Sequence, residues 1–117
     1  MITLAANSQI YKGFCVSLCL TADARCELTD WTNYASVAGV IGIATNDGGA
    51  GQPIIIIQDH GIYENTQWTF TRGLPVFAFA SGLVTQNIPP KNIIQVGRAI
   101  SPTQILIRIS DFIMVSQ

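Results

Sequence analysis

The chain holds 117 residues, room for one ordinary domain, and 49% of them are hydrophobic while only 11% are charged. A typical soluble domain is ~25% charged, and disordered chains pair low hydrophobicity with high charge, so disorder is excluded. Six Lys and Arg against seven Asp and Glu, net −1, also exclude a nucleic-acid module working by phosphate neutralisation and a polybasic membrane anchor.

Taken in chain order, Met1-Ile2-Thr3-Leu4 opens with apolar side chains ahead of the first clear strand pattern. Residues 1–9 are therefore expected to form an N-terminal arm laid across another subunit or an underlying shell, or else an edge strand of the chain's own barrel. Residues 10–117 are expected to form a single β domain. Residues 10–20 read as a first strand, kinked or bulged at Gly13. The same stretch offers a weak signal-peptide pattern, Lys12 before an apolar run and Ala22-Asp23-Ala24 after it. Ser17 breaks the run and the leading region is too long, so the strand is preferred. Residues 21–34 are polar and read as a loop or a short helical turn.

Residues 37–44 read as a strand of small residues; this longest apolar or glycine run falls far short of the ~20 residues that span a membrane. Thr45 to Gly51 is a turn, rich in Asn, Asp and Gly. Four successive isoleucines in 54–57 predict a strand buried on both faces. After an Asp59-His60-Gly61 turn, residues 62–71 alternate Tyr63, Trp68 and Phe70 with polar residues, irregularly near Asn65. Arg72-Gly73 turns again and residues 76–80 form a strand. Ser81-Gly82 is a tight turn, 83–85 a short extension, and Pro89-Pro90 a rigid connection. Residues 93–100 and 104–109 are two strands parted by Ser101-Pro102, and 111–115 form a last one. Seven to nine short strands at this spacing predict an all-β fold, a single barrel- or sandwich-like domain.

Chemistry-bearing residues are sparse. The one histidine, His60, reads as a polar turn residue, since no activated nucleophile motif accompanies it. Gly48-Gly49-Ala50-Gly51 lacks the Lys-Ser/Thr of a phosphate loop and precedes a strand, so it reads as a hairpin loop. Asp23, Glu27 and Asp30 lack the register of an EF-hand loop and read as a solvated acidic stretch. Cys15, Cys19 and Cys26 form neither an even disulfide framework nor a C-x-x-C metal pair, and read as small buried thiols. No catalytic residue, metal site or cofactor is expected. Trp31, Tyr34, Tyr63 and Trp68 suit a subunit interface or core, with a sugar platform as the competing use.

The charge shortage itself predicts an oligomer: thirteen charged side chains cannot cover the surface of a domain this size, and the apolar patches left over mark protein contact. Met1, Ile2, Leu4, Trp31, Tyr34, Tyr63 and Trp68 are the candidate interface residues.

The order of segments adds a resemblance. It runs Tyr11-Lys12-Gly13-Phe14-Cys15-Val16, Val40-Ile41-Gly42-Ile43-Ala44, Gly51-Gln52-Pro53-Ile54-Ile55-Ile56 and Gly73-Leu74-Pro75-Val76-Phe77-Ala78. Ser81-Gly82-Leu83-Val84-Thr85 and Val96-Gly97-Arg98-Ala99-Ile100-Ser101 follow. This order resembles small structural proteins of tailed bacteriophages, particularly capsid decoration (cement) proteins and similar β modules of tail fibres. Phe77 departs mildly from the aromatic pattern of the fourth strand. The resemblance implies a β-barrel-like homotrimer on the virion surface, assembled in the host cytoplasm, bound to the major capsid protein and without enzymatic activity. It implies as alternative a tail fibre, adaptor or receptor-binding module.

Overall fold

The computed structural model describes residues 1–90 and 92–109, and among them ten strands carry a nearly all-β fold, against the seven to nine expected. The first five are β1 (Ile2–Ala6), β2 (Cys15–Leu18), β3 (Arg25–Leu28), β4 (Val40–Ala44) and β5 (Pro53–Ile57). They close into a barrel in the order β1-β3-β2-β4-β5. The second five are β6 (Ile62–Glu64), β7 (Pro75–Ala78), β8 (Val84–Thr85), β9 (Gln95–Ser101) and β10 (Gln104–Ile107), an open sheet in the order β6-β10-β9-β7-β8. A single turn of helix, α1 (Tyr34–Ala38), joins β3 to β4, and a 3-10 turn, Ala80–Gly82, precedes β8.

The barrel follows from period-two patterning. Ile2, Leu4 and Ala6 on β1, Cys26 and Leu28 on β3, and Ile54 and Ile56 on β5 pack into one cluster with Val16 and Ala44. β1 runs antiparallel to β5, with Ile2 opposite Ile56 and Leu4 opposite Ile54, and parallel to β3. Residues 2–6 thus form a strand of the chain's own barrel, paired with β5 over residues 2–5 and with β3 at Ala5 and Ala6, where an arm reaching onto another subunit was one expectation. The alternating apolar face of β1 is what the interior takes up, and closure leaves no edge strand exposed.

The isoleucine run needs a second correction. Ile54 and Ile56 are fully buried, whereas Ile55 is 43% exposed and Ile57 half-buried. A barrel wall has one interior face, so alternate residues of β5 point out; Ile55 lies opposite Thr3 on that outer wall.

Local signals account for the other departures. The strand expected over 10–20 is broken by Gly13, whose φ of +87° turns the chain, so that Ile10 bridges to Gly48 and only Cys15–Leu18 joins the barrel. Residues 21–34 contain β3, whose Arg-Cys-Glu-Leu alternates out and in. The strand expected from 37 begins at Val40. Before it, the Asn33 side chain accepts the Ala35 amide at 3.0 Å as an N-cap, and the Gly39 amide donates to the Ala35 and Ser36 carbonyls as the helix ends. The strand expected over 62–71 stops at Glu64, because Asn65 accepts the Gln67 amide through its side chain and the Trp68 amide through its carbonyl. The strand expected over 111–115 lies outside the described residues.

The sheet packs one face on the barrel. Cys15, Val37 and Ile43 from the barrel side meet Val76, Ala78, Val96, Ala99, Ile105 and Ile107 in a second buried cluster. At its margin the Ser17 and Thr29 hydroxyls lie 2.7 Å apart and Thr29 donates to the Cys15 sulfur at 3.4 Å, so the buried polar atoms there satisfy one another. Glycines permit close approach: a Cβ on Gly42 would strike the Ile57 carbonyl, and one on Gly97 the Leu106 carbonyl.

Candidate functional site

The polar residues singled out in the sequence are spent on the fold. The His60 amide donates to the Ile107 carbonyl, and the Asp59 carboxylate accepts the Ile109 amide, both at 2.7 Å, which pins the turn before β6 to the end of β10. In the glycine loop the Gly49 amide donates to the Gln52 side chain at 2.6 Å and the Gly51 amide to the Ala6 carbonyl at 2.7 Å. Among the described residues no three His, Cys, Asp or Glu side chains gather as a metal site. Asp30 instead accepts the amide and hydroxyl of Thr32 at 3.0 and 2.6 Å.

The thiols are free. Burial pushes the Cys15 thiol up to about 12 against a partly opposing hydrogen bond from Thr29, so it stays protonated and unreactive. Burial raises Cys26 as well. Cys19 is half-buried in the connection between β2 and β3.

The seven interface candidates do not form one surface. Ile2 and Leu4 turn into the barrel, while Met1 stands 82% exposed. Trp31 stacks on Phe79 at 5.0 Å, and Tyr63, Trp68 and Phe70 form a second ring group with centroids 5.8 and 5.2 Å apart. Trp31, Tyr63 and Trp68 all pack against the cluster between barrel and sheet; Tyr34 on α1 is exposed. Tyr63 borders a polar cleft of about 300 Å³ with Lys12 and Glu64. Its phenol is raised by burial and by the Asp47 charge, so at neutral pH it offers an O–H donor and no phenolate.

What the outside of the molecule presents is apolar area. Twelve large hydrophobic side chains among the described residues are exposed, among them Leu18, Ile55, Ile62, Ile88 and Leu106. A groove of about 440 Å³ at one end of the barrel is lined by Ile2, Leu18, Val40, Ile41 and Ile109. On the outer face of the sheet the register aligns Ile62, Leu106, Arg98 and Pro75 in one row across four strands. Beside that row a depression of about 330 Å³ is lined by Gln95, Gly97, Arg98, Leu106, Arg108 and Ile109. Arg98 and Arg108 escaped the sequence reading. They lie ten positions apart and share a face only through the β9–β10 register, which shifts at Gln104. The one usable signal was the Ser101-Pro102 turn, which makes the two strands neighbours.

No helix among the described residues is long and apolar enough to cross a membrane. No protein-family model matches the chain, and no curated protein matches it significantly.

Proposed function

We propose that this chain is a non-enzymatic virion structural protein: a homotrimer seated on the outer surface of a tailed-phage head, where it bridges neighbouring major capsid subunits. The observation that carries the reading is the exposed apolar surface of a charge-poor chain, spread over the barrel wall, the outer sheet face and the groove at the barrel end. Such area is costly in water, at ~25 cal/mol per Å², and is relieved when copies of the chain and a shell cover it. The resemblance of segment order to capsid decoration proteins supplies the kind of shell. The work asked of such a protein is mechanical. Each contact that spans two capsid subunits adds binding free energy opposing their separation, and no reacting group is required.

The test uses purified chain and capsids of its phage that lack it. The expected result is saturable binding, a particle-bound trimer, and capsids that survive higher temperature or lower salt when decorated. Absence of capsid binding, together with adsorption to host cells or their glycans, would replace this reading with that of a tail receptor-binding module.

A further inference from the structure

We infer that the outer face of the sheet β6-β10-β9-β7-β8 is a docking face for a second copy of this chain, and that it receives the acidic wall around the neighbour's β3. The inference rests on the homo-oligomeric reading above and gives it a geometry.

The argument starts from where the charges lie. Residues 1–59, which build the barrel, carry Lys12 and Arg25 against Asp23, Glu27, Asp30, Asp47 and Asp59, a net −3. The described residues from 60 to 109, which build the sheet, carry Arg72, Arg98 and Arg108 against Glu64, a net +2. A chain almost neutral as a whole is therefore divided into two halves of opposite sign.

The two halves meet in charge only at their margins, where Lys12 and Glu64 border one cleft and Asp59 holds the end of β10. The face that the sheet turns to the barrel is apolar, from Val76 across to Ile107. Arg98, which donates to the Gly73 carbonyl at 2.5 Å, and Arg108 are exposed on the opposite face, at the 330 Å³ depression, which no carboxylate among the described residues lines. Beside them Leu106 and Ile62 supply exposed apolar contact. On the barrel, Asp23, Glu27 and Asp30 lie on β3 or its flanking turns. The one cation among them, Arg25, donates to the Ala6 carbonyl at 3.0 Å and so is turned onto β1. A positive face with an apolar centre and a negative wall, on different sides of one chain, are complementary between copies. A contact of this kind is heterologous, and it closes into a ring when its rotation divides the circle, as a threefold does. Charge complementarity of this sort sets register and association rate.

The experiment measures self-association by sedimentation in low and high salt, with far-UV circular dichroism confirming the fold of each variant. The parent is expected to associate, and more weakly at high salt, because exposed charges are screened. Arg98→Glu with Arg108→Glu should weaken association at least about tenfold, since like charges then face one another. Asp23→Arg with Glu27→Arg should do the same. Mixing the two variants should restore association between unlike copies, which a merely misfolded variant cannot do, in pairs and open or even-numbered alternating assemblies and not in a ring of three. A parent that assembles while the arginine variant assembles equally well overturns the docking face and leaves the oligomer reading standing. Retained assembly with lost capsid binding assigns the face to the shell and also overturns the proposal. A parent that stays monomeric at tens of micromolar in low salt overturns the docking face, and overturns the oligomer reading as well when the particle-bound chain is not a trimer.

Discussion

The barrel and the sheet each have five strands, and they treat their edges differently. Every barrel strand has a neighbour on both sides, and the barrel encloses a cluster of its own, from Ile2 to Ile56. The sheet is open. Its edges, β6 and β8, are only three and two residues long, which limits unwanted strand pairing, and its one buried face is the face it lays on the barrel. The barrel therefore holds stability that the sheet shares only by contact. The difference also leaves the outer sheet face, unlike the inner one, outside both buried clusters of the described residues.

The largest expected effect breaks the barrel. Ile56→Asp places a carboxylate in the enclosed cluster and should cost about 3–5 kcal/mol in urea unfolding, whereas Ile55→Asp on the outer wall should stay within about 1 kcal/mol. Equal costs would mean that β5 does not alternate. Next, Gly42→Ala and Gly97→Ala each force a methyl against a carbonyl of the adjacent strand and should cost about 1–3 kcal/mol. Hydrogen exchange separates them: the Gly97 variant should loosen β9 and β10 while the barrel amides stay protected, and the Gly42 variant should loosen both layers. A smaller change sits on the wall both layers share. Thr29→Val leaves the Ser17 hydroxyl buried without its partner and should cost about 1–2 kcal/mol. Adding Ser17→Ala should cost less than the two single losses together, measured by a double-mutant cycle.

The smallest effect is one of pH. Cys15 is raised from an ordinary 9.0 to about 12, so the folded state holds this proton more tightly than the unfolded chain. Its contribution is complete well below pH 9 and is lost as pH climbs toward 12, the loss amounting to about 1 kcal/mol by pH 10. Cys26 and Tyr63, raised by the same cause, act in the same direction. Cys15→Val should flatten the decline of the thermal midpoint between pH 8.5 and 10.5.

The sequence announces most turns and fewer of the strands. Gly13, Gly73 and Gly82 have positive φ where breaks were read, because few residues other than glycine occupy that region. The isoleucine run misled because Ile55 and Ile57 are apolar on the outward side as well, which erases the alternation that marks a half-buried strand. β3 did alternate, but its Arg25 and Glu27 made four residues look like part of a polar loop. The arginine pair was invisible for a different reason: spacing along one strand is legible, but position across two strands depends on a register that a single shifted residue resets. The oligomer argument needed only composition, which is why it was available from the start.

The pairing of β1 with β5 also dictates an order of events. During synthesis Ile2 has no antiparallel partner until Ile56 has been made, whereas β2 and β3 are joined by a short connection and can pair at once. Closing so long a stretch of chain is entropically slow, and folds that depend on it reach the native state in milliseconds to seconds. The chain's two tryptophans, Trp31 and Trp68, both lie against the layer interface. Their fluorescence in a refolding experiment therefore times the docking of the sheet, and the closure of the barrel must be followed by another probe.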